Sequence, residues 1–160
     1  MAVDMFLKLE KIDGEAVDHA HAKEIDILAW SWGMSQSGTT HTSEGSGAGK
    51  VNIQDISFTK YVDRATPTLM QYISQGTHIT KATLVVRKAG EKPLEYVTIT
   101  MTDVIITSLS TGGSGGEDRL TENITLNFAK VTFEYDPQDK KGGGKGKIPY
   151  NFDIALNQAF

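Results

Sequence analysis

Between Leu120 and Tyr135 apolar and polar residues alternate without a proline or a glycine, and midway the apolar parity changes. Leu120, Ile124, Leu126 and Phe128 share one side of a strand; Val131, Phe133 and Tyr135 share the other. Successive side chains of a strand point to opposite faces, so a one-residue shift turns the whole apolar set over. Two arrangements satisfy this segment. A β-bulge near Ala129-Lys130 would keep both halves facing one interior, or the strand changes its buried face midway. Val51 and Ile53, set against Ile56 and Phe58, pose the same choice, with the bulge near Gln54-Asp55. Two long bulged strands favour a sheet that bends onto itself as a barrel over a flat sandwich.

Other segments rich in Val, Ile, Thr, Phe and Tyr recur between turn residues, the pattern of a mainly antiparallel protein. Met5, Leu7 and Leu9 alternate with Phe6, Lys8 and Glu10 in a half-buried first strand. A longer strand is expected over Ala22–Met34. Its early part is apolar through Ile25, Ile27 and Ala29, and from Leu28 the opposite face becomes apolar too, with Trp30 and Trp32. Further strands are expected over Thr80–Lys88, Leu94–Thr102 and Asp103–Ser110, the first two joined by a turn at Lys88–Pro93. One helix is expected over 65–76, with Thr66 as cap, Pro67 at its first helical position and Gly76 at its exit. Leu69, Met70 and Ile73 would form its docking stripe. The fold class is therefore all-β: an antiparallel β-barrel formed from two curved sheets, with one flanking α-helix, in a single domain over 1–160.

Two glycine-bearing stretches break this pattern. Residues 38–50 form a loop without periodicity, and loops of that length in a compact domain are usually functional or disordered. Residues 139–147 are basic and glycine-rich and are expected to be a flexible linker before a last apolar segment, Ile148–Phe160, that docks or pairs at an edge.

Composition narrows the functional classes. The net charge of −4 at pH 7 lacks the basic excess of a nucleic-acid binder. With no cysteine there is no disulfide, thiolate metal site or cysteine nucleophile. The longest apolar run, Ile27–Trp30, is four residues, far short of the ~20 needed to span a bilayer. The first residues lack the basic start and apolar stretch of a signal peptide. Synthesis in the cytoplasm without a leader and no membrane insertion are the expectations.

No cofactor, metal or catalytic set emerges. Gly45-Ser46-Gly47-Ala48-Gly49-Lys50 ends in a GK pair, but Glu44 and Val51 stand where a phosphate loop needs a glycine and a hydroxyl, and a strand follows in place of a helix. His19 and His21 are expected at the surface, since no third ligand is near. Ser46 and Ser114 lack the setting of a nucleophile elbow. Gly112, Gly113, Gly115 and Gly116 are expected to form a flexible turn that lets two backbones approach. Glu117, Asp118 and Arg119 follow, either as a solvated cluster or as a directional pair that sets register.

Three motifs in order carry a family resemblance: Trp30-Ser31-Trp32-Gly33-Met34-Ser35-Gln36-Ser37, Phe58-Thr59-Lys60-Tyr61-Val62-Asp63, and the block from Ser110 to Tyr135. With them the chain from Met1 to about Pro137 resembles the Hcp family, the tube protein of bacterial type VI secretion. The resemblance implies a hexameric ring that stacks into an exported tube, carries effectors in its channel and performs no catalysis. Its implied partners are itself, the sheath, the baseplate, a VgrG-like spike and secreted effectors, with secretion into the medium or target cells. In such a ring Ser31, projecting opposite the two tryptophans, is a candidate for the channel surface, with a buried or subunit-interface serine as the alternative. Thr39, Thr40, His41, Thr42, Ser43 and Glu44 become candidates for ring-to-ring contact. Gly112–Gly116 and Glu117–Arg119 become candidates for the contact between subunits. A monomeric small-ligand carrier and a hydrolase stay open as other classes, the first predicting a less fully apolar barrel interior.

Overall fold

The structure, a computed structural model, describes residues 2–38, 50–90, 92–139 and 143–160. Among these described residues ten strands and a helix follow in order: β1 (Val3–Leu9), β2 (Ile25–Ser31), β3 (Met34–Ser35), β4 (Asn52–Ile53), β5 (Ile56–Tyr61), α1 (Thr66–Gln75), β6 (Ile79–Lys88), β7 (Leu94–Thr111), β8 (Thr121–Tyr135), β9 (Ile148–Asp153) and β10 (Gln158–Ala159). Strands β8-β5-β2-β1-β6-β7 pair in that order and β7 returns to β8, closing a six-stranded antiparallel barrel. β9 and β10 extend the sheet beyond β8, and β3 pairs with β4 alone.

The parity change in β8 is resolved without a register shift there. β7 and β8 turn over together: Ile99 and Met101 are buried before the change and Val104 and Ile106 after it, opposite Phe133, Val131, Phe128 and Leu126. The turning point is Asp103, whose φ of 54° is a left-handed conformation that few side chains adopt. Leu94–Thr102 and Asp103–Ser110 are thus one kinked strand, not two. Past that level β8 exchanges its outer neighbour, pairing with β5 up to Leu126 and with β9 from Lys130. The change at Gln54-Asp55 is a strand break instead of a bulge: Ile53 ends β4 and Ile56 begins β5. Bulges do occur where β7 passes Thr107 and where β2 passes Leu28. The latter brings Trp30 opposite the buried Phe58. The Ala22–Met34 expectation resolves into two strands, β2 and β3, interrupted at Trp32-Gly33.

Leu7, Ile25, Ile56, Leu84, Ile99 and Ile124 are fully buried at the centre of the barrel. Each such side chain contributes about 1.5–3 kcal/mol of burial. Helix α1 closes over this core through Leu69, with Tyr72 and Ile73 packed partly against it; Met70, expected in the stripe, is exposed. Pro67 is the second helical residue and not the first, and Gly76 terminates the helix at φ 64°. Thr66 does not cap. It lies inside the helix, Ala65 stands at the cap, and Asp63 Oδ1 accepts the Ala65 N–H at 3.0 Å.

Phe6 also departs from expectation. It faces out of the barrel yet is buried, because the segment 13–24 folds back over it and stacks His21 on its ring at 4.5 Å. Gly14 and Ala16 hydrogen-bond Lys23 and Glu24, tying that segment into a narrow loop. At the other end of the chain, Asp139 N–H donates to Gly143 O and Lys145 N–H to Pro137 O, and the chain re-enters the sheet as β9.

Candidate functional site

Closing the barrel leaves each strand with one face inside and one outside, and the outward faces of β2, β5, β8 and β7 share a composition. Ala29 and Ser31 project from β2, Ser57 and Thr59 from β5, Asn123, Thr125 and Asn127 from β8, and Thr107, Ser108 and Ser110 from β7. Register makes them neighbours: Ser31 lies opposite Ser57, Ser57 opposite Thr125, Thr59 opposite Asn123, and Ser108 opposite Thr125. Their hydroxyls and amides bond across the strands. Thr59 Oγ1 donates to Asn123 Oδ1 at 2.7 Å, and the Thr125 hydroxyl lies 2.6 Å from those of both Thr107 and Ser108. Asp55, just ahead of β5, accepts from Thr107 and Asn127, each at 2.8 Å. The result is a wall of mostly short, neutral side chains on the outside of the barrel, partly bonded across strands, with Asp55 held among them and Asp26, Tyr61 and Ile105 on the same outward faces.

Ser31 is exposed within this wall. The tryptophans that flank it turn the other way: both are partly buried against the core, Trp32 donates its indole N–H to Gln54 O at 2.9 Å, and its ring lies 6.2 Å from that of Phe128. Large aromatics anchor the strand from within and a small serine faces out.

The glycine-bearing loop rises where β7 and β8 meet. Gly112, Gly115 and Gly116 have no atom within 4 Å of a would-be Cβ, and Gly113 faces only the Leu120 side chain. No second backbone approaches there. Arg119 folds down onto the wall's edge and stacks over Tyr61 at 3.7 Å, and no ion pair joins it to Glu117 or Asp118 among the described residues. Burial raises the Asp26 carboxyl above its ordinary pKa, and the Arg119 charge opposes that shift.

A model of the family described as "Type VI secretion system effector, Hcp" matches residues 6–135. The chain belongs to the Hcp family of type VI secretion. It is 58% identical over 160 residues to Protein hcp1 of Pseudomonas aeruginosa, with 98% of each chain covered. Among solved structures, one described as a type six secretion system protein matches with a TM-score of 0.93 and 31% identity, over 99% of this chain and 100% of the other. Hcp1 from Salmonella typhimurium matches with a TM-score of 0.83 and 40% identity, over 100% of both chains.

Within this Hcp fold the candidate residues separate into groups. Ser31 and the Gly112–Arg119 loop border one polar wall from opposite ends of the strands. Thr39, Thr40, His41, Thr42, Ser43 and Glu44 lie outside the described residues, as do Gly45–Gly49 of the GK-ending stretch. His19 is exposed as expected, but His21 is not. It is buried between two carboxylates, with Nδ1 2.9 Å from Glu24 Oε2 and Nε2 2.7 Å from Glu95 Oε1. Burial works against its imidazolium, yet the two hydrogen bonds outweigh it and raise its pKa above the ordinary histidine value. Among the described residues no group of three or more His, Asp or Glu side chains is placed to hold a metal ion, and no helix is long and apolar enough to cross a membrane.

Sequence reasoning also missed a buried ionic cluster. Lys60, on the inward side of β5, donates to Glu122 Oε2 at 2.5 Å, to Tyr61 O at 2.8 Å and to Thr66 Oγ1 at 3.3 Å, and its ammonium lies 3.0 Å from Asp63. The signal was present: Lys60 and Glu122 occupy the parity of Phe58 and Ile124.

Proposed function

We propose that this chain is the repeating subunit of the type VI secretion tube: a hexameric ring that stacks into a tube, with the polar face of β2, β5, β8 and β7 lining the bore and contacting effectors. The observation that carries this reading is the wall itself. A face turned to bulk solvent usually carries lysine and glutamate, and a face packed on another protein usually carries apolar or aromatic side chains. This one carries mainly serine, threonine and asparagine, small enough to leave space for a passenger and without the long charged side chains that would grip it. Family membership supports the same reading.

Assembly has support elsewhere on the surface. β9 and β10 form an exposed edge, with Ile148, Leu156 and Phe160 uncovered. A head-to-tail contact repeated about a closing rotation makes a ring and covers such edges. The tube would be driven out by a contracting sheath, so its partners are the sheath, baseplate, spike and effectors, and no chemistry is asked of this chain. The small-ligand carrier has less behind it, since the barrel interior is filled by apolar side chains and by the Lys60–Glu122 pair.

Size-exclusion chromatography with negative-stain microscopy should show annular particles with an open centre; a lone protomer at high concentration would overturn the reading. In intact rings, Ser31→Gln should reduce effector retention; parent-like retention would remove Ser31 from the bore. Deleting residues 39–49 should abolish tubes and spare single rings.

A further inference from the structure

The polar wall holds a carboxylate fixed by two strands, apart from Asp26, which lies on the outward side of β2 in the field of Arg119. Asp55 Oδ1 accepts from Asn127 Nδ2 and its Oδ2 from Thr107 Oγ1, both at 2.8 Å. These donors stand on β8 and β7, so two strands pin the carboxylate to the wall and neither oxygen is left to swing away. No lysine, arginine or histidine nitrogen lies within 4.0 Å of it among the described residues. The residues beside it, Ser57, Thr107, Thr125 and Asn127, are neutral. Arg119, a cation at the wall's edge, sits at the far end of β5 over Tyr61.

The geometry points to Asp55 as the residue that sets the charge preference of the bore, favouring passengers that present lysine and arginine. This rests on the reading of the polar wall as the bore. A closed ring repeats each residue by its symmetry, so one carboxylate per subunit becomes a collar of carboxylates around the channel. Charges of one sign lining a concavity with low-dielectric walls sum their fields and raise the local concentration of opposite charge. Neutral hydroxyls and amides neither cancel that field nor grip a passenger strongly themselves, so the collar decides the sign. The chain's net charge of −4 adds to the field and does not offset it.

The chain has no cysteine, so a fluorophore on Ala29→Cys, exposed on the same face of β2, reports from the wall without altering Ser31. The probes are oligolysine and oligoglutamate peptides of equal length, added to assembled rings at low ionic strength. Oligolysine should change the emission and be retained several-fold more than oligoglutamate. Asp55→Asn, in rings verified by chromatography, should remove that difference, whereas Arg119→Gln should not. Salt at about 1 M, where screening acts within about 3 Å, should abolish it as well. Should Asp55→Asn fail to form rings, Ser57→Lys supplies the converse test, because a cation beside the collar should erase or reverse the preference. Undiminished preference for oligolysine in either variant would overturn the assignment of Asp55. Emission that responds to neither peptide in intact rings would instead overturn the reading of the wall as the bore.

Discussion

The ammonium of Lys60 lies 2.5 Å from Glu122 Oε2, and both side chains are wholly shielded from solvent. Glu122 comes from β8, Lys60 from β5, and Thr66 donates to the same Glu122 oxygen at 2.7 Å from the first turn of α1. The pair therefore fixes the helix to the barrel at a defined register. One buried oxygen of the pair, Glu122 Oε1, has no hydrogen-bond partner among the described residues; a buried pair adds little over an apolar one, but removing one partner strands the other. Lys60→Met, which leaves Glu122 and Asp63 without their cation, should cost about 3–5 kcal/mol. Lys60→Met combined with Glu122→Leu should recover part of that loss. Urea unfolding at one fixed protein concentration measures both.

His21 yields a pH prediction of definite sign. Glu24 and Glu95 raise its pKa in the folded state, against the effect of burial. Stability from the clamp is then complete below the unfolded value of about 6.5 and is lost as pH rises through the folded value. Between about pH 6 and about pH 8.5 the thermal midpoint of the parent should fall further than that of His21→Gln. Parallel curves would mean that the clamp does not depend on the imidazolium.

On the same segment, Asp18 receives the Arg87 guanidinium, with Nη2 2.5 Å from Oδ2 and Nη1 3.1 Å from Oδ1. That hydrogen bonding lowers its pKa to about 2, against a smaller effect of burial. The contribution of this contact is present above the ordinary carboxylate value and fades as pH falls through about 2. Arg87→Met should raise the Asp18 pKa from about 2 toward the ordinary carboxylate range, observed as its carboxyl carbon shift in an NMR titration.

The barrel was legible in the sequence because its determinant is local: strand parity, glycine and proline punctuation, and a helix bounded by Pro67 and Gly76. The parity change of Leu120–Tyr135 pointed to a curved sheet, but not to its cause, because Asp103 bends the partner strand and its φ leaves no mark in β8. The Leu28 bulge was readable in principle, since Ile27 and Trp30 differ in parity as Val51–Phe58 do. The burial of Phe6 and His21 was not readable, because a segment carrying His19, Asp18 and Glu24 resembles a solvated loop until Glu95, distant in sequence, completes the clamp. The tryptophans put Ser31 on the opposite face of its strand with a channel and a buried or interface position both open; its exposure and the wall around it are properties of register among four strands. No single motif encodes Ser31, Ser57, Thr125 and Thr107 as neighbours.

Glycine supplies the last prediction, because the close approach of two backbones expected at Gly112–Gly116 occurs at Gly14. A Cβ there would lie 2.5 Å from Glu24 O and 2.7 Å from Ile25 Cα, both backbone atoms that cannot turn aside. Gly14→Ala should therefore destabilise the protomer by about 1–3 kcal/mol, the range for forced overpacking. Gly112, Gly115 and Gly116 meet no atom of their own chain, and none has a positive φ. Their replacement by alanine should stay within about 0.5 kcal/mol, as for surface changes away from special features. Any need for glycine at these positions then lies outside the protomer, in what approaches the loop. Gly115→Ala and Gly116→Ala should lower the fraction of rings in dilution experiments while the unfolding of dissociated protomers is unchanged. Rings that withstand dilution as the parent's do would remove this loop from the subunit contact.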